Sequence, residues 1–325
     1  MISKQIKTSI ATVTLLLASA GMATAQVVTV ATGAQGSLAY NSGQAIAKVA
    51  NENGITARAQ PLVGYLPLIN NGEVDFGFSN GVEAAFALTG TGNYDRKNEN
   101  IRLVGVMFPL STGLMAPCDL GIETIADLKA KAGDLRIASE YKSSTIIPYY
   151  IAGGLANGGM SYDDFKQVPV ANFVAGIKAL GDGLVDVALV SLNNGAGKQA
   201  AVKLKGRGGL CYISLDNSEA AVAKFKEYLP AGSVFSFKQN DKLNGLGSYS
   251  ANLMRIPWMM LTNKDVSEDL VYNMVKTIAE NKEALTESFG LFRGAKKETM
   301  APTNEVPYHP GAIKYFEEAG IKMGG

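Results

Sequence analysis

The side chains that metal and catalytic sites most often use are scarce in this chain of 325 residues. It holds one histidine, His309, and two cysteines, Cys118 and Cys211. A zinc site or a Cys–His catalytic pair needs several such side chains close together, and here the histidine lies far along the chain from both cysteines. We therefore expect no catalytic residue, no metal site and no cofactor.

Two segments resemble fragments of nucleotide-binding motifs. Residues 90–92 read Gly-Thr-Gly, but Tyr94 and Asp95 stand where a dinucleotide fingerprint needs its third glycine. Residues 142–145 read Lys-Ser-Ser-Thr, like the end of a phosphate-binding loop, but the upstream glycines of that motif are missing. Both segments are interpreted as loops, and nucleotide binding is not expected.

Five polar or glycine-containing loops follow predicted strands, and ligands of open α/β sheets bind at such strand ends. Loop one, residues 33–37, has two glycines that expose backbone N–H groups in front of a helix start. Loop two, residues 62–65, offers a glycine and a tyrosine, and loop three, residues 78–81, offers two side-chain donors. Ordinary turns and helix capping remain alternative explanations for all three loops.

Loops four and five belong to the second half of the sequence. Loop four, residues 140–145, combines hydroxyl groups with a lysine at a helix start, which favours an anionic group such as a carboxylate. Loop five, residues 191–194, offers polar side chains without charge; solvated loops remain the alternative. The predicted ligand-binding residues are Ala34, Gln35, Gly36, Ser37, Tyr40, Gly64, Tyr65, Ser79, Asn80, Tyr141, Lys142, Ser143, Ser144, Thr145, Ser191, Asn193 and Asn194.

Strand-like and helix-like segments alternate along the chain, which predicts mainly parallel sheets covered by helices. In the first half we predict strands at 27–31, 55–63, 74–78 and 101–108, with helices at 38–53, 66–70 and 82–88. After Pro117 we predict strands at 135–138, 168–170, 184–190 and 210–215, with helices at 123–129, 145–157, 173–180, 194–205 and 218–229. A strand at 249–261, one long helix at 266–288 and a helix from Pro310 through Glu318 close the chain.

This order predicts two α/β lobes. The first lobe comprises residues 26–115 and a return segment, 246–325, whereas the second lobe comprises residues 116–245. Two strands would cross between the lobes, near 111–117 and 245–251, and act as a hinge. A chain of 325 residues is long enough for two domains. The formal net charge of +1 gives no reason to expect nucleic acid as a partner.

The N-terminus is typical of a signal peptide. Lys4 and Lys7 precede an apolar run at 13–17 and then a small-residue stretch that ends at Ala25. The run is far shorter than the roughly 20 apolar residues that span a bilayer. We therefore expect residues 1–25 to be removed and the protein to be exported to the periplasm, where Cys118 and Cys211 could form a disulfide or stay as buried thiols.

Six segments resemble one family of proteins. They are 28–33 (VTVATG), 68–77 (LINNGEVDFG), 125–129 (IADLK), 229–233 (LPAGS), 265–272 (DVSEDLVY) and 306–315 (VPYHPGAIKY). In this order they resemble the TAXI family of TRAP-transporter solute receptors. The resemblance implies a type II periplasmic-binding-protein fold, one small solute per cleft, and a monomer that delivers its solute to a membrane-embedded TRAP permease. Loop four departs from the family, since Lys142 and two serines stand where relatives often keep glycine.

Other readings stay open at this stage. The chain could serve an ABC importer or a sensory kinase, or be an exported enzyme that uses Glu140, Tyr141 and Lys142. His309 could titrate near neutral pH, or it could begin the helix at Pro310 as a structural residue.

Overall fold

The computed structural model describes residues 27–33, 35, 37–62, 64–192, 195–238 and 250–324. Strands and helices alternate along this part of the chain, as predicted. The strands are β1 Val28–Thr32, β2 Ala57–Pro61, β3 Phe76–Asn80, β4 Ile101–Pro117, β5 Arg136–Ser139, β6 Lys166–Pro169, β7 Ala188–Ser191, β8 Leu210–Tyr212, β9 Ser233–Phe237 and β10 Ala251–Asn263. The α-helices are α1 Leu38–Glu52, α2 Tyr65–Asn70, α3 Gly81–Thr89, α4 Ile125–Lys131, α5 Ile147–Asn157, α6 Phe173–Gly181, α7 Gly195–Lys203, α8 Glu219–Tyr228, α9 Glu268–Glu280, α10 Lys282–Ser288 and α11 Pro310–Glu318.

The first lobe is a sheet in the order β2-β1-β3-β10-β4 with helices on both faces. β1 runs parallel to β2 and β3, whereas β10 runs antiparallel to β3 and β4. One core packs the sheet against α1, α9, α10 and α11, and another packs it against α2 and α3. Met260 belongs to the first core and its neighbours Met259 and Leu261 to the second, because successive strand residues point to opposite faces.

The second lobe has its own core, to which α4, α5, α6 and α8 contribute buried apolar side chains. β5 and β6 pair in parallel, and an isolated bridge joins Ile137 to Val187 just before β7. β7 and β8 then pair antiparallel with the end of β4, and β9 pairs antiparallel with the start of β10. Each lobe thus has a core of its own, and one residue of α3, Val82, is buried in that of the second lobe.

β4 and β10, with 17 and 13 residues, join the two lobes. They pair antiparallel from Thr112–Met254 to Ile101–Asn263, and their side chains enter the cores of both lobes. Pro109 stands opposite Pro257 between those cores. Since proline has no N–H to donate, the ladder is weakened at this point. The first predicted crossing lies in β4, the second lies largely outside the described residues, and the exact lobe boundaries stay a prediction.

Several elements end at other residues than predicted, such as β4, which continues to Pro117, and two differ in kind. The expected single helix at 266–288 is wrong: it is divided into α9 and α10 at Asn281. The Asn281 amide donates to the carbonyl oxygen of Thr277 at 2.9 Å, and such a side-chain bond competes with the backbone ladder of a helix. β9 was not predicted, because most of its residues are partly or fully exposed and it is recognised as a strand only through its pairing with β10.

The structure also answers two questions that the sequence leaves open: the state of the two cysteines and the role of His309. Cys118 and Cys211 are joined by a disulfide with Cα atoms 5.0 Å apart, which ties β8 to the end of β4. His309 is the N-cap of α11, and its Nδ1 accepts a hydrogen bond from the backbone N–H of Gly311 at 3.1 Å. This confirms the structural interpretation of His309.

Candidate functional site

Loops one and two lie at the carboxyl ends of β1 and β2. Ser37 caps α1, because its hydroxyl accepts from the N–H of Tyr40 at 3.1 Å, and Gln35 is exposed. Gly64 has a left-handed φ of 65° ahead of α2, and the Tyr65 hydroxyl donates to the carbonyl of Phe78. The predicted residues Ala34 and Gly36 lie outside the described residues.

Loop three follows β3, the central parallel strand of the first lobe. Ser79 is 2% exposed, and its hydroxyl oxygen has no hydrogen-bond partner among the residues that the structure describes. Asn80 is the N-cap of α3 and accepts from the N–H of Glu83 at 2.8 Å. A buried hydroxyl without a partner is costly, so the Ser79 side chain is available to a bound molecule.

The two serines of loop four are used within the second lobe. Ser143 donates through its hydroxyl to the carbonyl of Ala171 at 3.0 Å. The Ser144 hydroxyl accepts from the N–H of Phe173, the first residue of α6, at 3.2 Å. These bonds fasten loop four to the start of α6, and α5 begins at Ile147, two residues later than predicted.

The other members of loop four divide between core and solvent. Tyr141 has a left-handed φ of 48° and is fully buried, with a packing role in the core of the second lobe. A Cβ atom at Gly176 would lie 2.8 Å from the Tyr141 hydroxyl, so glycine makes room for the ring. The Lys142 side chain is 76% exposed, and its Nζ lies 3.8 Å from the carboxylate of Glu140.

Loop five is described only at its start. Ser191 ends β7, and its hydroxyl lies 3.4 Å from that of Thr112 on β4. This places Ser191 beside the strand that joins the two lobes. Asn193 and Asn194 lie outside the described residues.

Helix α3 of the first lobe contacts α5 and loop four of the second lobe. The Asn93 amide, four residues after α3, donates to the hydroxyl of Thr145 at 3.0 Å. The ring of Phe86 packs edge-on against that of Tyr149, with centroids 5.0 Å apart. Val82 is fully buried in the core of the second lobe. The lobes therefore touch along α3, and of the predicted residues Thr145 makes a bond across this contact.

The sequence reading missed the charged residue at this contact. Glu83 lies in the first turn of α3, where its carboxylate accepts from Asn80 at 3.1 Å and from the Tyr94 hydroxyl at 3.2 Å. Burial raises the pKa of Glu83, although these donors oppose the rise. The spacing of Asn80 and Glu83 is that of an ordinary helix cap, so the sequence gives no reason to single out Glu83. Its position at the contact becomes visible only when folding brings Tyr94 against it.

Two further polar groups on the side of the second lobe lack partners. Ser139, the last residue of β5, is 2% exposed, and Tyr150 in the first turn of α5 is 6% exposed. Within the described part of the chain, neither hydroxyl has a hydrogen-bond partner. Burial raises the pKa of Tyr150, and the negative charge of Glu83 raises it further.

A metal-binding cluster and a membrane-spanning helix are both absent from the described part of the chain. It holds no group of three or more His, Cys, Asp or Glu side chains that could bind a metal ion. Within the same residues, no helix is both long enough and apolar enough to cross a membrane.

Comparison with solved structures identifies the fold. The chain is similar to a TctC solute-binding protein from Polaromonas (12% identity, 91% of this chain and 96% of that one, TM-score 0.54). It is also similar to MatC from Rhodopseudomonas palustris, solved with bound malate (12%, 83% and 89%, TM-score 0.51). A third likeness is to the binding-protein component of an ABC phosphonate transporter from Pseudomonas aeruginosa (12%, 83% and 80%, TM-score 0.51).

At these identities the likeness shows the fold alone. It is the two-lobed α/β fold of periplasmic binding proteins, which confirms the predicted two-lobed α/β class. The expectation of mainly parallel sheets is wrong, because five of the eight strand pairings among the described residues are antiparallel. In addition, the model of the NMT1-like family matches residues 30–320, nearly the whole described chain.

Proposed function

The chain belongs to the NMT1-like family, and from this membership and its two-lobed fold we propose that it is a periplasmic solute-binding receptor of a transport system. The observation that carries the proposal is the set of buried hydroxyl groups, at strand ends and helix starts of both lobes, that have no partner among the described residues. Ser79 belongs to the first lobe, and Ser139 and Tyr150 belong to the second. Buried polar groups are normally hydrogen-bonded, so a solute between the lobes would supply the missing partners.

Capture would proceed by closure of the lobes. Loops one to three hold the solute first, and rotation about β4 and β10 brings loops four and five over it. Pro109 and Pro257 make the joining strands easier to bend, because neither can donate a ladder hydrogen bond. The closed form is the state that a membrane partner would recognise.

The proposed solute is a small carboxylate. The support is the start of α5 behind loop four, where helix N–H groups favour negative charge, with Lys142 as a cation on the same loop. One structural neighbour, MatC, was solved with malate bound, which is compatible with this class. Since Lys142 is exposed and lies beside Glu140, we assign it a supporting role in attracting the anion.

Delivery is proposed to a TRAP-type secondary transporter, on the resemblance to the TAXI family. The protein would act as a monomer in the periplasm after removal of its signal peptide, residues that the structure does not describe. An ABC importer is the main alternative, since one structural neighbour is a component of such a system. The proposal assigns no catalytic step to the protein.

Native mass spectrometry of freshly purified protein tests capture. A solute carried through purification adds its mass to the folded protein and is lost on denaturation, and its mass identifies it. Proteoliposomes then test delivery: uptake of that solute should require this protein and an ion gradient. Uptake that instead requires ATP would assign the receptor to an ABC importer, and conversion of the solute by the protein alone would overturn the receptor function.

A further inference from the structure

Glu83 is a charged side chain at the contact between α3 and the second lobe, and it is not among the residues that the sequence singles out. Its two oxygens accept from the Asn80 amide at 3.1 Å and from the Tyr94 hydroxyl at 3.2 Å. Both donors are neutral, so they satisfy hydrogen bonds without supplying a positive charge. The Glu83 side chain is partly buried, and a carboxylate that is partly withdrawn from water is costly unless a cation pairs with it.

The protein itself does not provide that cation within the described ranges. There, no lysine, arginine or histidine nitrogen lies within 4.0 Å of Glu83, whereas Arg136 lies 2.8 Å from the partly buried carboxylate of Asp186. Burial accordingly raises the pKa of Glu83. The charged form of Glu83 thus lacks a counter-charge within the described chain, and a positively charged group of a ligand would lower its pKa and favour the carboxylate.

A second observation points to the same space. The Tyr150 hydroxyl, on α5 of the opposite lobe, is buried and has no hydrogen-bond partner in the described ranges. After burial, the charge of Glu83 is the next cause that raises the pKa of Tyr150. Tyr149, the neighbour of Tyr150 on α5, contacts Phe86 at 5.0 Å between ring centroids, and Phe86 lies one turn after Glu83 on α3. The carboxylate and the hydroxyl therefore belong to the two helices that meet between the lobes.

We infer that Glu83 determines the specificity of the cleft, by binding a positively charged amino group of the solute, with the Tyr150 hydroxyl as a second polar contact. This inference rests on the proposed receptor function and narrows its solute class. An amino-bearing carboxylate could place its ammonium at Glu83 and its carboxylate towards the start of α5. A dicarboxylate would instead bring a second negative charge next to Glu83.

Matched pairs of solutes that differ in one amino group provide the test. The probes are alanine with propionate, glutamate with glutarate, and ethanolamine with ethylene glycol. Each is screened by thermal shift against denatured and refolded, solute-free protein, and the binders are then titrated by calorimetry. The variants are Glu83→Gln, which keeps the shape of the side chain but removes its charge, and Tyr150→Phe, which removes only the hydroxyl. Glu52→Gln, at an exposed carboxylate that ends α1, is the matched control.

The expected result is that at least one amine binds and its amine-free partner does not. Glu83→Gln should weaken the binding of that amine about 30-fold or more, because the substitution leaves a desolvated ammonium unpaired. Tyr150→Phe should weaken it less, and Glu52→Gln should not change it. Equal binding of an amine-free partner, or unchanged affinity in Glu83→Gln, would overturn the role of Glu83 and leave the receptor function standing. No binding of any probe would count against both.

Discussion

The disulfide between Cys118 and Cys211 offers the clearest quantitative prediction. It closes a loop of 93 residues that contains most of the second lobe. Replacing both residues, Cys118→Ser with Cys211→Ser, releases this constraint from the unfolded chain. Chain-entropy arithmetic for a loop of that length gives about 4.6 kcal/mol at room temperature as the stabilisation lost.

The measured loss should be smaller than this bound, about 2–4 kcal/mol, because unfolded chains keep some residual structure. The assay is guanidinium unfolding followed by circular dichroism and by tyrosine fluorescence, since two lobes need not unfold together. The double variant should shift the transition of the second lobe to lower denaturant. The wild type treated with a reductant serves as the control and should match the double variant.

The position of the bridge sharpens this test. Cys118 follows the last residue of β4 and lies well beyond the crossing pair Pro109–Pro257. Solute affinity of the folded protein should therefore remain close to that of the wild type. An unchanged unfolding midpoint in the double variant, or a shift confined to the first lobe, would refute the reasoning from loop closure.

Two other positions in the first lobe give predictions of stability. Burial lowers the pKa of His309, so the unfolded chain takes up the proton more readily; stability is full above about pH 6.5 and falls as the pH drops below it. Denaturant unfolding at several pH values should show that His309→Asn loses less free energy of unfolding at low pH than the wild type. Identical pH profiles of the two proteins would contradict the role of His309 in this loss. A Cβ atom at Gly311 would lie 2.2 Å from the backbone oxygen of Glu268, so Gly311→Ala should cost about 2 kcal/mol or more. Thermal unfolding measures this cost, with Gly290→Ala as the control, because the added atom there meets nothing within 4 Å. Equal melting temperatures of the two variants would argue against the clash.

Local patterns predicted the elements whose ends carry their own signals. The apolar run of β1 followed by the Ser37 cap defines the first β-loop-α unit, and the structure agrees with it within a residue. α11 was equally predictable, because Pro310 fits a first helical turn and His309 caps it. In both elements the information lies within a few residues of sequence.

Features that depend on distant residues were not predictable in the same way. β9 exists through its pairing with β10, and Asn281 ends α9 through one side-chain bond. In loop four, the position of Tyr141 inside the core depends on the space that Gly176 leaves on helix α6.

The candidate site shows the same limit. The loops after β1 and β3 could be placed from the sequence, because strand ends are where such sheets bind ligands. Glu83 could not be singled out, since its spacing from Asn80 is explained by helix capping. Its significance arises from Tyr94 and Tyr150, which only folding brings next to it.

The central claim is that a solute is captured by closure of two lobes, and small-angle scattering tests it most directly. The protein is measured after denaturing release of any solute and refolding, and again with the solute that native mass spectrometry identifies. The account predicts a smaller radius of gyration with solute. On closure, α3 of the first lobe approaches α5, and loop four of the second lobe approaches the first lobe, with the solute between them. An identical lobe separation with and without a tightly bound solute, in scattering and in crystals, would contradict it.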